Sequence, residues 1–90
     1  MNKSELISAI AENANLTKAD SGRALDAMIS AITDSLKNGE PVTLIGFGTF
    51  EVRHRVERQG KNPRTGEPIT VPAQNTPAFR AGKLLKATVK

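Results

Sequence analysis

Hydrophobic residues near the N-terminus recur at the spacing of an amphipathic helix. Ile10 lies four residues after Leu6 and three after Ile7, and Ala14 lies four after Ile10. Asn2 lies three residues before Glu5, a spacing at which the two side chains satisfy free backbone amides of a first helical turn. The pattern therefore predicts a helix that begins near Asn2 and ends where two asparagines interrupt it, at positions 13 and 15.

A second and longer helical stripe follows. Thr17, with Asp20 three residues later, is a candidate start for this helix. Its apolar face consists of Leu25, Met28, Ile29, Ile32 and Leu36. Asn38-Gly39 is a helix-termination signal, and Pro41 prevents continuation. Two amphipathic helices in succession predict a helical hairpin whose apolar stripe belongs to a core.

After Pro41 the hydrophobic period changes to two, which is typical of strands. Val42 and Leu44 alternate, and Gly46-Phe47-Gly48 then predicts a turn. In the next predicted strand one face is formed by Phe50, Val52, His54 and Val56. Residues 59–66, QGKNPRTG, have the composition of a turn or loop.

Three further elements are predicted after this loop. Ile69, Val71 and Ala73 alternate on a returning strand, and Pro77 and Phe79 mark a last short strand. The chain then ends in a short helix, one face of which carries Lys83, Lys86 and Lys90. Helices at both ends and strands between them predict an α+β fold.

The hairpin around QGKNPRTG has very few large apolar residues near its tip. An isolated two-stranded ribbon is marginally stable in water. Pro68 and Pro72 lack the amide donor of a strand ladder, so each requires an edge position. Because nothing in the sequence covers this ribbon, we expect it to project and to bind a partner.

Composition narrows the possible functions. Ninety residues are one domain, residues 1–90, and the absence of Cys together with a single His argues against disulfides, metal centres and hydrolytic catalysis. We therefore expect no enzyme, no cofactor and no small-molecule substrate. His54 shares a strand face with apolar residues, which favours a structural or solvated role. Glu5 and Glu12 argue against a signal peptide, and no apolar run spans a membrane, so we expect a cytoplasmic protein.

The net charge of +4 hides an asymmetry. Residues 1–40 hold four basic and six acidic residues, whereas residues 41–90 hold nine basic and three acidic ones. The cations of the second half form two clusters, namely Arg53, Arg55, Arg58, Lys61 and Arg64, and then Arg80, Lys83, Lys86 and Lys90. Basic clusters on one half of a small domain indicate a polyanionic partner, although a solvated surface produces similar charge runs.

Spaced residues of the second half match a known family signature, namely Gly46-Phe47-Gly48-Thr49-Phe50, Arg55, Arg58, Gly60, Asn62-Pro63 and Thr65-Gly66. From MNKSELI to FRAGKLLK the chain resembles the bacterial histone-like DNA-bending proteins of the HU and integration host factor type, and its length fits the HU branch. The resemblance implies a helical hairpin base, a three-stranded antiparallel sheet with an extended β-ribbon arm, and a short C-terminal helix. It also implies an intertwined homodimer, or a heterodimer with a paralogue.

The resemblance further implies that the two halves of the chain have different functions. Residues 1–40 would be the helical dimerisation half, and residues 41–90 would carry the sheet, the C-terminal helix and a DNA-binding arm at about residues 53–75. Two arms would reach around double-stranded DNA in the minor groove and would bend and compact it in the nucleoid. Sequence specificity would be weak, because minor-groove edges present a degenerate pattern.

Individual roles also follow from the resemblance. Pro63 would enter between base steps, although proline is an ordinary turn residue as well. The residues placed against DNA are Lys3, Arg53, Arg55, Arg58, Lys61, Asn62, Pro63, Arg64, Arg80, Lys83 and Lys86. Those placed in the dimer core are Leu25, Ile29, Ile32, Leu36, Leu44, Phe47, Phe50 and Phe79. The chain departs from the family on the returning strand, which has no basic residue where relatives commonly carry a lysine, so the arm's charge is confined to the outgoing strand and tip.

Two other classes of protein fit parts of the sequence. The segment GFGTFEV, residues 46–52, resembles the aromatic RNP1 strand of an RNA recognition motif, but that fold opens with a strand rather than with two helices. A protein–protein adaptor with a basic surface is the second alternative. Retention on DNA at low salt would separate an adaptor from a DNA-binding protein.

Overall fold

The computed structural model describes all 90 residues. In chain order its elements are α1 (Lys3–Ala14), α2 (Lys18–Lys37), β1 (Val42–Leu44), β2 (Gly48–Arg55), β3 (Arg58–Lys61), β4 (Pro68–Val71), β5 (Gln74–Ala81) and α3 (Lys83–Val89). β2 is the centre of a three-stranded antiparallel sheet between β1 and β5, and β3 and β4 form a separate antiparallel ribbon. The predicted α+β fold is confirmed. The chain divides into two compact units, residues 1–34 and 35–90.

In the first unit, asparagines mark both ends of α1. Asn2 Oδ1 accepts a hydrogen bond from the Glu5 amide at 2.9 Å, which confirms the predicted helix start. At the other end Asn15 adopts the left-handed conformation, with φ of 56°, which asparagine tolerates better than most residues. The Leu16 amide then donates to the Ala11 carbonyl at 2.9 Å, so one of the free carbonyls of the last turn is satisfied.

α2 lies against α1 near its first turns. The predicted start of α2 is confirmed, because Thr17 Oγ1 accepts a hydrogen bond from the Asp20 amide at 3.1 Å. Ser21 is fully buried, and its hydroxyl has no hydrogen-bond partner. A Cβ atom at Gly22 would lie 3.6 Å from Ile7 Cδ1, in van der Waals contact with α1. The two helices thus form the predicted helical hairpin.

The end of α2, in the second unit, has the hydrogen bonds of a Schellman motif. The Glu40 amide donates to the Ser35 carbonyl, and the Gly39 amide donates to the Leu36 carbonyl, both at 2.9 Å. Gly39 has φ of 78°, a conformation that residues with a side chain rarely adopt. Pro41 follows, so the predicted termination of the helix is confirmed.

A tight turn joins β1 to β2. The Phe47 amide donates to the Leu44 carbonyl at 2.9 Å, and Gly46, the third residue of the turn, has φ of 85°. This is the geometry of a type II turn, which requires positive φ at that position. A turn is therefore confirmed at Gly46-Phe47, but Gly48, which was predicted to belong to it, is the first residue of β2.

The three-stranded sheet has one apolar and one polar face. Residues paired across strands share the apolar face, namely Phe50 with Phe79 and Val42, and Val52 with Pro77. The polar face carries Thr43, Thr49, Glu51, Arg53 and Arg80. β5 has eight residues, so the prediction of a short last strand was wrong. Pro77 does not shorten β5, because β5 lies at the edge of the sheet, where a missing amide donor is tolerated.

The outgoing strands, β2 and β3, and the returning strands, β4 and β5, build an extended ribbon, and residues 53–75 are called the arm below. Its ladder is interrupted at a joint formed by Val56-Glu57 and Pro72-Ala73, which lie outside the strands. The predictions that Val56 and Ala73 belong to strands were therefore wrong, since Pro72 has no amide to continue the ladder. Pro68 pairs with Lys61 in the two-stranded ribbon, in an edge position as predicted.

Candidate nucleic-acid interface

The tip of the arm is a turn organised by Asn62. Its Oδ1 accepts a hydrogen bond from the Arg64 amide at 2.9 Å, which is an Asx turn across Pro63. The Asn62 carbonyl accepts from the Gly66 amide at 2.7 Å, and Gly66 has positive φ of 75°. The Asn62 amide donates to the Glu67 carbonyl at 2.8 Å and closes the hairpin. These bonds hold Pro63 exposed at the end of the arm.

Asn62 also has a positioning role that was not predicted from the sequence. Its side-chain oxygen is engaged with the backbone of the tip, while its contact with DNA stays a prediction. The signal was present in the sequence, because an Asn that precedes Pro and a later Gly is typical of a turn in which the side chain caps the backbone two residues on.

The outgoing strands display four cations along the arm. Their partners in the ladder are all uncharged: Arg53 pairs with Thr76, Arg55 with Gln74, Arg58 with Val71 and Lys61 with Pro68. Side chains alternate between the two faces of a strand, so Arg53 and Arg55 share a face, whereas Arg58 and Lys61 lie on opposite faces. All four are exposed and none forms an ion pair. Arg64 is exposed at the tip.

Arg80, on the polar face of the sheet, has an acidic neighbour. Its Nε lies 3.4 Å from Glu51 Oε1. This carboxylate oxygen is buried and accepts no hydrogen bond, so the contact is an ion pair without hydrogen-bond geometry. The Arg80 side chain is 67% exposed, so it is accessible to another anion while Glu51 lies beside it.

The remaining cations predicted to contact DNA lie on helices. Lys83 and Lys86 are exposed on α3, which follows the extended residue Gly82. In the first unit, Lys3 Nζ lies 2.7 Å from Asp26 Oδ1, and both side chains are open to solvent. Lys83 and Lys86 are thus unpaired cations, whereas Lys3 already has a partner.

Three aromatic rings meet on the apolar face, and Phe79 is at their centre. Its ring centroid lies 4.9 Å from that of Phe50 and 5.4 Å from that of Phe47, within the range of favourable aromatic pairs. The cluster is open to solvent, since Phe47 is 45% and Phe79 is 40% exposed. Gly48 makes the packing possible, because a Cβ atom there would lie 2.5 Å from the Phe79 ring. The sequence predicts Gly48 as part of the turn, and its pattern does not indicate this contact.

The other residues predicted for a dimer core differ in burial. Leu25 is buried, whereas Ile29 is 49% exposed. Ile32 and Leu36 are half-buried, and Leu44 is exposed. Large apolar side chains therefore remain open in both units, which is typical of a surface that another chain covers. Their place in a dimer core stays a prediction.

His54 makes a cross-strand contact. Its Nδ1 lies 2.6 Å from Oδ1 of Asn75, the residue opposite it in the ladder. No three His, Asp or Glu side chains lie close enough together to hold a metal ion. None of the helices combines the length and the hydropathy that crossing a membrane requires. The contact with Asn75 fits the structural role that the sequence favours for His54.

Together these features define a class of protein: an α+β chain with open apolar surface and a cationic two-stranded arm that ends in an exposed proline. The family model described as bacterial DNA-binding protein matches residues 1–90. The chain belongs to this family.

Named relatives share more than half of the sequence. The chain is 58% identical over 90 residues to DNA-binding protein HU of Xylella fastidiosa (strain Temecula1), with 100% of this chain and 96% of that protein covered. It is 57% identical over 90 residues to DNA-binding protein HU of Staphylococcus aureus (strain COL), with both chains covered completely. The resemblance inferred from the sequence is confirmed.

Solved structures of HU proteins have the same fold. Anabaena HU in a cocrystal with DNA superimposes with a TM-score of 0.88 at 46% identity, with 99% of this chain and 97% of that chain covered. HU from Thermotoga maritima gives a TM-score of 0.71 at 34% identity over the full length of both chains. The predicted combination of helices, antiparallel sheet and β-ribbon is thus confirmed.

Proposed function

We propose that this chain binds double-stranded DNA with little sequence specificity, and that it bends and compacts this DNA as a histone-like protein of the bacterial nucleoid. The observation that carries the proposal is the arm, a projecting ribbon with cations along one side and an exposed Pro63 at its tip. The relatives named DNA-binding protein HU and the cocrystal of Anabaena HU with DNA support it.

The arm would enter a minor groove that is opened by bending. The minor groove of undistorted B-DNA is about 6 Å wide, narrower than a two-stranded ribbon, so binding there requires deformation of the duplex. A ribbon in this groove meets base edges that barely distinguish sequences, so it responds to the shape and deformability of the DNA. The arm cations, Arg80 and the lysines Lys3, Lys83 and Lys86 would neutralise phosphates, which positions the protein without specifying a sequence.

Pro63 is the residue that would bend the duplex. Its ring is apolar and exposed, and the turn bonds of Asn62 fix its direction. Inserting such a wedge between base steps costs a few kcal/mol of stacking. Additional phosphate contacts on the bent duplex offset this cost.

The DNA-binding unit would be a homodimer, with pairing to a paralogue as the alternative. Exposed Phe47 and Phe79 in the second unit and exposed Ile29 in the first provide apolar surface for it. Residues 1–40 would supply the helical dimerisation half, and residues 41–90 would supply the sheet and arm of a single domain. Two arms per dimer would then hold one duplex from both sides.

The role is architectural rather than catalytic. The relatives are DNA-binding proteins, and the one histidine of this chain contacts a neighbouring strand. The DNA partner would place the protein in the cytoplasm, on the nucleoid.

A salt titration tests the proposal. Anisotropy of labelled duplexes of unrelated sequence is measured from low to physiological salt. We expect similar affinities for all sequences and a logarithmic salt slope of about −0.9 per phosphate neutralised. In the double variant Arg58→Ala/Lys61→Ala the magnitude of the slope should fall by up to about 0.9 for each phosphate that the variant leaves unneutralised. No binding to any duplex at low salt would favour the protein–protein adaptor instead.

A further inference from the structure

The cations of the arm are distributed unequally between its two strands. The outgoing side carries Arg53, Arg55, Arg58 and Lys61 with one acidic residue, Glu57, and Arg64 lies at the tip. The returning side has no Lys or Arg between Arg64 and Arg80, and its first residue after the tip turn, Glu67, is acidic. The two long edges of the arm therefore differ in charge.

The register shows that this difference persists along the whole arm. Each outgoing cation faces an uncharged residue, from the pair of Arg53 with Thr76 near the sheet to the pair of Lys61 with Pro68 near the tip. No acidic side chain pairs with any of the four cations. All of their charge is thus available to a partner on the outgoing side.

The cations of the outgoing strands lie at different distances from the phosphates of the two DNA strands. A ribbon in the minor groove has one edge near the phosphates of one DNA strand and the other edge near the phosphates of the opposite strand. Coulomb attraction falls inversely with distance, and salt screens it over about 8 Å at physiological ionic strength. Cations of the outgoing strands are therefore attracted more strongly by the nearer phosphates, because the returning strand adds about 4.8 Å to their distance from the farther ones.

We propose that each arm is held in the minor groove by electrostatic attraction to the phosphates of one DNA strand only. These phosphates line one wall of the groove. This inference rests on the proposed function. The phosphates beside β2 and β3 supply nearly all of the electrostatic contact of the arm, and the wall beside β4 contributes shape alone. The arm thus recognises a single phosphate backbone within a double helix.

Two-fold symmetry makes the inference measurable. In a dimer on a palindromic duplex the outgoing strands of the two arms face opposite DNA strands, one in each half of the site. Neutral methylphosphonate linkages in the 5′ halves of both strands then remove the phosphate charge on one side of the groove for both arms. The same linkages in the 3′ halves remove the phosphate charge on the other side.

The experiment compares the unmodified palindrome with these two duplexes, each no longer than the site of one dimer. We expect one neutralised duplex to bind about tenfold more weakly than the other at low salt and to lose more of its salt slope. Both should bind more weakly than the unmodified duplex, because Arg80 and the lysines of the helices would also contact phosphates. Equal weakening of both would overturn the inference. Loss of binding to the unmodified palindrome would instead overturn the proposed function.

A matched pair of variants provides a second test. Gln59 and Thr70 are exposed and lie directly opposite each other in the ribbon. Thr70→Lys adds a cation to the returning edge, so the wall beside it should begin to contribute, and the two neutralised duplexes should become more alike in affinity. Gln59→Lys adds the same charge to the outgoing edge and should preserve or widen the difference. If both variants change the difference in the same direction, the inference is wrong.

Discussion

Gly48 is a position at which a single methyl group would disturb the aromatic cluster. A Cβ atom there would lie 2.5 Å from Phe79 Cζ and 2.7 Å from the Arg80 carbonyl oxygen. Gly48→Ala should lower the free energy of unfolding by about 1–3 kcal/mol, the usual cost of overpacking, as measured by urea denaturation. Gly60→Ala is the control, because its Cβ would lie 3.7 Å from Ile69 Cγ1, an ordinary contact. Equal effects of the two substitutions would contradict this account.

Ser21 presents the opposite case, in which removing an atom should stabilise the protein. Its hydroxyl is fully buried without a hydrogen-bond partner, so it loses hydration on folding and gains no bond. Ser21→Ala should raise the free energy of unfolding by about 1 kcal/mol and shift the urea midpoint at constant m value. Ser30→Ala, at an exposed position of α2, measures the gain from helix propensity alone. A gain at Ser21 no larger than that at Ser30 would refute the explanation.

At the scale of the element, a substitution at Pro63 distinguishes two contributions of the tip to DNA binding, namely insertion into the base stack and attraction to phosphates. Pro63→Ala removes the ring but leaves Arg58, Lys61 and Arg64 in place. Bending, measured by energy transfer between the ends of a labelled duplex, should decrease, while the salt slope should change little. Asn62→Ala should reduce bending in the same direction, because it removes the Asx bond of the tip. Unchanged bending in Pro63→Ala would make Pro63 an ordinary turn residue.

Elements that depend on local chemistry were predictable from the sequence. Asn2, Thr17 and Gly39 act on residues within one helical turn, and all three mark helix ends in the structure as predicted. The ends of the strands were less predictable, because Val56 and Ala73 continue the alternation in the sequence while the ladder between them is interrupted. Alternation reports which residues share a face, and the pairing partner decides where a strand ends.

Prediction of the candidate site from the sequence has the same limit. The cations of the arm and Pro63 are evident from composition and spacing, but the neighbours that orient them are not. The pairs of Gly48 with Phe79 and of Glu51 with Arg80 join strands that lie about 30 residues apart in the chain, and no local pattern encodes them. The faces of Arg58 and Lys61 likewise became clear only when the bounds of β3 were known.

At the scale of the whole molecule, the open aromatic cluster should make stability depend on protein concentration. Phe79→Ala should weaken the proposed dimer by on the order of 3 kcal/mol or more, as expected for truncation of a Phe that becomes buried. Sedimentation equilibrium would report the weaker association, and Tm should vary with concentration. Val56→Ala removes apolar surface at the exposed joint and should leave association unchanged. A folded monomer of the unaltered protein at micromolar concentration would contradict the prediction.

The joint in the arm has a consequence for heat tolerance. Beyond Val56-Glu57 and Pro72-Ala73 the ribbon consists of four residue pairs and the tip turn, with no third strand to support it. Such a segment unfolds as a cooperative unit of its own, at a lower free energy than the three-stranded sheet. Its backbone amides should exchange with deuterium sooner than those of β2. On warming, the outer arm of the free protein would melt while the sheet stays folded, so DNA would then have to refold the arm on binding, and affinity should fall before the protein itself unfolds.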